Sequence, residues 1–582
     1  VNRAALLAVG LAALACTTPR VVAPKPEAAG PSADAIYFVL VDRFANGDRA
    51  NDGAIDPADP SAFHGGDLQG VIDHLDDLKA LGIRTVWLSP VFKMRTEKFF
   101  GYGAFHGYWT YDLSQVEPRF GTDAQLRKLS DELHKRGMRL LLDLVVNHVG
   151  PDAPLLKERP EWFHGKGPLK NWDDPEELTT HDVHGLPDLA QEREEVYRFL
   201  MDATLRWVRE VRPDGFRLDA VKHVPLSFWA RFNGELHSAS PGLFLLGEML
   251  DGDPALLAKV GAQGKFDAMF DFPLGFALVD VFCKDQAPAR LGAVFSSDRL
   301  YADPDSLVTL LDNHDLPRVM SQCGGDVERV RQALTVMLTA RGTPSLLYGT
   351  ESGLTGAKEP ENRGDMQFEG NAVLRSTIAS LLELRKQHPA LVQGVPLTLE
   401  AEPGLFAYAR VTPGEVAVIS VNRRKEPVTL RLPADLASGV EWVEPAAAPL
   451  TVAPGSVLVA FGRPAAPNGF AALHRRAVSQ RAGEPKRKLE LSLQGAPVGA
   501  AEEIYLVGSS PEAGAWNADH ALGPFSADGR LTALLPIGTV LEFKFVVRAK
   551  GAKPRWEDGD NRLLLVEPGD GPRVLKAAWG RR

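Results

Sequence analysis

Eight short apolar runs, separated by stretches of helical periodicity, limit what this chain can fold into more than any other feature. They start at Ile36 (IYFVLVDRF), Arg84 (RTVWLSP), Arg139 (RLLLDLVVNH), Gly215 (GFRLDAVKH), Leu243 (LFLLGEML), Phe266 (FDAMFDF), Ser306 (SLVTLLDNHD) and Thr343 (TPSLLYGTE). Strands alternating with amphipathic helices in this way are the pattern of an α/β protein built on a (β/α)8 TIM barrel. Several runs end in Asp, Asn, His or Glu, and barrels place their active sites at the C-terminal ends of the strands. In the fourth run Arg217 and Asp219 are two residues apart, so they share a strand face and lie side by side. A guanidinium beside a carboxylate favours its charged form, which makes Asp219 a candidate nucleophile.

The gap between the third and fourth runs, about 149–192, is long and rich in Trp, Asp and His. It reads as an inserted subdomain, since loops of that length are usually functional. After Gln387-His388-Pro389 the helical periodicity stops and β-rich segments separated by Pro and Gly follow, an all-β domain over 387–462. The Pro-, Ala- and Arg-rich stretch 463–485 reads as a linker, and 486–582 as a second all-β module. The barrel takes 36–386, and a length of 582 residues suits this division, because single cores stop growing at about 250–300 residues.

At the N-terminus, Arg3 and an apolar run from Ala4 to Ala15 precede Cys16, which reads as a signal peptide over 1–16, too short to span a bilayer. Ala13-Leu14-Ala15 fits a secretory cleavage site, and the cysteine directly after it resembles a bacterial lipobox, whose lipid would attach the chain to a membrane. Residues 17–35 read as a flexible tether. Export to the cell envelope or beyond is therefore expected. With Cys16 removed or lipidated, Cys283 and Cys323 remain; they make no disulfide framework, and whether they form a single bridge is open. A net charge of −10 argues against a nucleic-acid partner and suits a neutral substrate or bound cations.

Four motifs stand in order at strand ends: DLVVNH (Asp143 to His148), GFRLDAVKH, Gly247-Glu248 and LDNHD (Leu311 to Asp315). Together they make residues 36–460 resemble the alpha-amylase superfamily of glycoside hydrolases, family 13. The last stretch, 486–582, resembles a family 20 starch-binding domain, a β-sandwich. The resemblance implies Asp219 as nucleophile, Glu248 as acid/base and Asp315 as a third carboxylate that hydrogen-bonds the distorted sugar. Glu248 leaves an apolar strand, and partial desolvation would raise its pKa. His148 and His314 match hydroxyl-binding histidines. In AFHGYWTYD, His106 and Tyr108 match a histidine and a stacking tyrosine. Arg217 completes the pocket, while Lys222 and His223 match residues on the leaving-group side.

The resemblance also implies two Ca²⁺ sites. Asn46, Asp48, Asn51, Asp52, Asp67 and the Gly65 carbonyl match a site of cyclodextrinases, neopullulanases and cyclodextrin glucanotransferases, and hard oxygen ligands in this number suit Ca²⁺. Asn147, Asp188 and the His223 carbonyl match a second, although Ala190 stands where relatives usually carry asparagine. In the C-terminal module Trp516 and Trp556 are expected to stack on glucose rings, with Lys544, Glu557 and Asn561 hydrogen-bonding hydroxyls. The aromatics of a second sugar site are not evident in FSADGRLTA, so one working site is expected. The implied function is an exported α-1,4-glucan hydrolase, of alpha-amylase or maltogenic type, acting as a monomer on starch, glycogen or maltooligosaccharides. Cyclodextrin glucanotransferase or cyclodextrinase/neopullulanase-like activity is the alternative, and a non-catalytic starch-binding protein a more distant one. Transferases hold an acceptor sugar with aromatics at two positions that are His184 and Leu250 here, which points to hydrolysis.

Overall fold

The computed structural model describes residues 35–444, 449–467, 469–499 and 501–580. The expected signal peptide, Cys16 and the tether up to residue 34 lie outside the described residues. Among the described residues no helix is long and apolar enough to cross a membrane.

The eight apolar runs form eight parallel strands: β1 Ile36–Val39, β2 Thr85–Leu88, β3 Arg139–Leu144, β4 Gly215–Leu218, β5 Phe244–Gly247, β6 Ala268–Met269, β7 Val308–Thr309 and β8 Thr343–Leu347. They pair in the order β6-β5-β4-β3-β2-β1-β8-β7, and a parallel bridge between Phe270 and Val308 closes the barrel. The register sets Asp143 of β3 opposite Arg217 of β4 and Arg217 opposite Leu246 of β5. The ends of these three strands therefore stand level, and the polar residues that follow them converge. Gly215 opens β4 because a Cβ there would sit 2.1 Å from the Phe244 carbonyl oxygen.

The helices around the barrel follow local rules. Asp123–Lys135 starts from Thr122, whose hydroxyl and Gln125 form a reciprocal capping box that satisfies two orphan backbone donors. Its buried Leu126, Leu129 and Leu133 recur at helical spacing on the face turned to the barrel. The inserted segment after β3, up to about residue 192, has little regular structure beyond short helical turns at Leu155–Glu158, Pro160–Trp162 and Glu177–Thr179. The bridge His148–Asp188 ties it back to the end of β3, Phe163–Leu189 joins it within itself, and the helix Glu194–Glu210 then leads to β4.

A five-stranded antiparallel sheet follows, in the order Val395–Glu402, Leu405–Val411, Val416–Asn422, Ser456–Pro464, Val440–Glu444. The C-terminal module packs a three-stranded sheet against a four-stranded one, with Leu489, Leu491, Leu506, Phe543 and Phe545 in a core of its own.

Two readings change. The stretch 463–485, read as a linker from its composition, contains a helix, Ala471–Arg481. Phe470, Leu473 and Ala477 are at most 1% exposed and belong to the core of the five-stranded sheet; a few apolar residues at helical spacing outweigh the surrounding Pro and Arg. The module is also docked against the barrel. Val540 N–H donates to Ser296 Oγ (2.8 Å), Arg299 pairs with Glu512 (2.5 Å), and Arg481 of the connecting helix pairs with Asp305 (2.7 Å). Cys283 and Cys323 form a disulfide, which answers the question their number left open.

Candidate active site

Arg217, at the end of β4, is fully buried and organises the site. Its guanidinium contacts Asp143 (3.0 Å), Asp219 (2.5 Å) and Glu248 (3.6 Å). Beyond β4, Asp219 N–H still donates to Leu144 O, and Ala220 then takes a left-handed conformation (φ 50°). This turn aims the Ala220 N–H at Glu248 Oε2, 3.0 Å away. Glu248 leaves β5 with 12% of its side chain exposed. Burial pushes its carboxyl up to about 7; Arg217 opposes this, while Asp219 and Asp315 add to it. One guanidinium thus touches both an acid that holds its proton near neutrality and a second carboxylate.

Asp315 lies more open, with 39% of its side chain exposed. Desolvation raises its pKa, but His314 and the Arg363 guanidinium, 3.1 Å away, outweigh it and hold the carboxyl below the ordinary aspartate range. The expected histidines and tyrosine line the wall between. Tyr108 stacks on His314 at 4.9 Å and donates its hydroxyl to Asp143 (2.9 Å). His106 Nδ1 accepts from Tyr108 N–H, and His148 Nε2 lies 3.2 Å from Tyr108 O. Burial lowers the pKa of all three histidines, that of His314 to about 3. They therefore offer neutral hydrogen-bonding nitrogens to a substrate. Lys222 pairs with Asp251 (3.0 Å), and His223 Nδ1 donates to Leu178 O.

Three residues of the site carry no role in the sequence reading. Asp143 accepts from Trp87 Nε1, Tyr108 and Arg217, anchoring the arginine that holds the two carboxylates; its place in DLVVNH was the available signal. Arg363 comes from the loop after β8 and joins Asp315, Glu359 and the His314 carbonyl. Trp172, 50% exposed, lies 5.9 Å from His184 and 5.8 Å from His223 by ring centroids. An aromatic face therefore stands beside His184, whereas Leu250 offers an exposed aliphatic one. Nothing local in the sequence marks Arg363 or Trp172.

The two oxygen clusters can be tested against a cation. Asp67 is fully buried; it accepts the N–H groups of Gly47, Asp48 and Gly70, and Asn51 approaches it at 3.4 Å. Asn46 and Asp52 hydrogen-bond each other beside Gly65, and the buried Asn51 Oδ1 has no hydrogen-bond partner. At the second cluster the Asn147 amide lies 2.8 Å from His223 O and 3.1 Å from Asp188 Oδ1. With its oxygen turned toward them three acceptors meet without a donor, an arrangement that closes around a cation or by turning the amide over. Asp188 also meets His164 at 2.6 Å. Both donor sets fit Ca²⁺. No group of three or more His, Cys, Asp and Glu side chains is placed for a metal among the described residues, so both sets depend on amide and carbonyl oxygens.

In the C-terminal module Trp516 and Trp556 are 36% and 38% exposed, a surface position for two large rings. Lys544 Nζ donates to the carbonyls of Glu557 and Gly559 and holds the loop after Trp556. Glu557 differs from expectation. Its carboxylate is 3% exposed, paired with Arg562 and accepting from Gly580 N–H. Because its oxygens are already engaged inside, it braces the loop and cannot face a sugar. Asn561 hydrogen-bonds Glu542.

The alpha-amylase catalytic-domain family model matches residues 38–380, and the starch-binding-domain model matches 490–571. A maltogenic alpha-amylase of Bacillus acidopullulyticus is 33% identical over 431 residues, 69% of this chain and 71% of that protein. A beta/alpha-amylase of Paenibacillus polymyxa is 33% identical over 414 residues, 67% of this chain; the match spans only 33% of that longer protein. The crystal structure of an Anoxybacillus alpha-amylase superposes with a TM-score of 0.71 at 36% identity, covering 75% of this chain and 98% of that one. The chain belongs to the alpha-amylase family of glycoside hydrolases and carries a C-terminal starch-binding domain.

Proposed function

We propose that the protein is an exported hydrolase that cleaves α-1,4 bonds of starch, glycogen and maltooligosaccharides with retention of configuration. The observation that carries this reading is the single Arg217 guanidinium in contact with both Asp219 and Glu248. A retaining mechanism uses two carboxyl groups about 5–5.5 Å apart, one a nucleophile and one an acid, and a shared guanidinium keeps the pair close. Glu248, held protonated by burial, gives its proton to the leaving oxygen as Asp219 attacks the anomeric carbon. The anionic Glu248 that remains then takes a proton from the water that releases the sugar from Asp219. Asp315 and the neutral histidines hold sugar hydroxyls.

Calcium at the two oxygen clusters would fix the inserted segment and the 46–52 loop; it is given no part in the bond-breaking steps. The Cys283–Cys323 disulfide supports export, because disulfides persist in oxidising compartments. A second reading, glucanosyl transfer or cyclodextrin-directed activity, is favoured by Trp172, whose exposed face on the leaving-group side could hold an acceptor sugar. The test is anomer-resolved NMR of maltohexaose cleavage. We expect α-anomers from the wild type, linear products in excess over cyclic ones, and a rate lower by about 10²–10⁴ for Glu248→Gln. β-Anomers, or an undiminished variant, would refute the reading, and mainly cyclic products would favour the second.

A further inference from the structure

Phe100 is the most exposed large apolar residue described, at 95%, and its backbone has φ 49°. A bulky residue in the left-handed region is a genuine outlier. The conformation arises because Phe99 and Tyr102 pair as a tight hairpin, with both N–H groups donating across (2.8 and 3.0 Å). That turn leaves Phe100 and Gly101 (φ 81°) at its tip. Glycine would suit both tip positions, yet one carries an aromatic ring that no core covers.

The hairpin is fixed in place. Phe99 packs edge-on against Trp109 (5.9 Å) and lies under the Arg95 guanidinium. Tyr102 hydroxyl accepts from Arg363 Nη1 (3.3 Å), and Arg363 Nη2 donates to Asp315 (3.1 Å). A single arginine thus connects the hairpin to a carboxylate of the site. Arg363 also pairs with Glu359 (2.6 Å), so the hairpin borders the cleft on the side of Asp315.

We propose that Phe100 is a stacking platform for a glucose ring on the Asp315 side of the cleft, beyond the ring that reacts, so that the enzyme favours glucans long enough to reach it. This rests on the α-glucan reading above. An aromatic face against the C–H face of a pyranose removes apolar area from water on both partners, and a ring presented by a rigid turn loses little freedom on binding.

The test is kcat/KM for maltotriose and for maltoheptaose with wild type, Phe100→Ala, Phe100→Gly and Phe100→Tyr, together with melting temperatures. We expect the Ala and Gly variants to lose about three- to tenfold on maltoheptaose, in KM, and to keep the wild-type value on maltotriose. Tyr should restore the long-chain value. Phe100→Gly should melt no lower than wild type, because glycine relaxes the left-handed position. Equal kcat/KM for all variants on maltoheptaose, or an equal loss on both substrates, overturns the proposal. A wild type inactive on both substrates would instead refute the glucan reading on which it rests.

Discussion

Ending the chain after Gly462, where composition suggests that the β domain stops, should damage the enzyme, whereas ending it after Gly483 should not. The longer truncation removes Phe470, Leu473 and Ala477 from the core of the five-stranded sheet. Burying a Phe or Leu side chain is worth about 1.5–3 kcal/mol each, so Phe470 and Leu473 alone give roughly 3–6 kcal/mol, against about 5–15 kcal/mol for a whole domain. At about 2–4 °C per kcal/mol for domains of 150–250 residues, the melting temperature should fall by about 6–24 °C. Ending after Gly483 instead removes a module with a separate core and breaks the Val540–Ser296 hydrogen bond and the Arg299–Glu512 pair. The expected loss there is small, since partly exposed ion pairs contribute about 0–1 kcal/mol. Scanning calorimetry with maltohexaose and granular-starch assays on both truncations decides it. The 1–483 chain should keep soluble-substrate activity and lose granule binding, as should full-length Trp556→Ala for the binding. Equal melting of the two truncations would show that the helix does not contribute to the core as argued.

Two further outcomes are expected. Glu248 has a folded pKa of about 7, above its unfolded value, so it contributes stability that is fully present below about pH 4.5 and lost as pH rises through 7. Glu248→Gln should therefore melt above wild type at pH 8, by an amount equivalent to about 3 kcal/mol, with the gap closing at pH 4.5. Wild-type kcat should fall above about pH 7 as the acid loses its proton; a gap independent of pH, or a flat kcat from pH 6 to 9, would contradict this. Chelation should lower the melting temperature if Ca²⁺ binds the folded state alone, since ligand at a thousand times Kd adds about 4 kcal/mol. Purified protein without metal by mass spectrometry, melting alike with and without chelator, would remove calcium from the account.

The barrel and the three candidate carboxylates are legible in the sequence because both are local signals. A strand is a short apolar run, and Asp219, Glu248 and Asp315 each follow one within a few residues, so finding the strand finds the residue. The register then brings them together without further information. What the sequence leaves open lies in segments with no period and in contacts between distant ones. Arg363 reaches Asp315 from the loop after β8, and Trp172 reaches His223 from the irregular stretch after β3. Glu557 has the residue type of a sugar ligand, but Arg562, five residues on, turns it inward. The helix Ala471–Arg481 is hidden by a Pro- and Arg-rich composition, and only the face of the sheet beneath it gives Phe470 and Leu473 a place to be buried. Periodicity along the chain decides which elements form; which side chains meet is decided where loops from separate elements close over the strand ends, and that depends on tertiary packing.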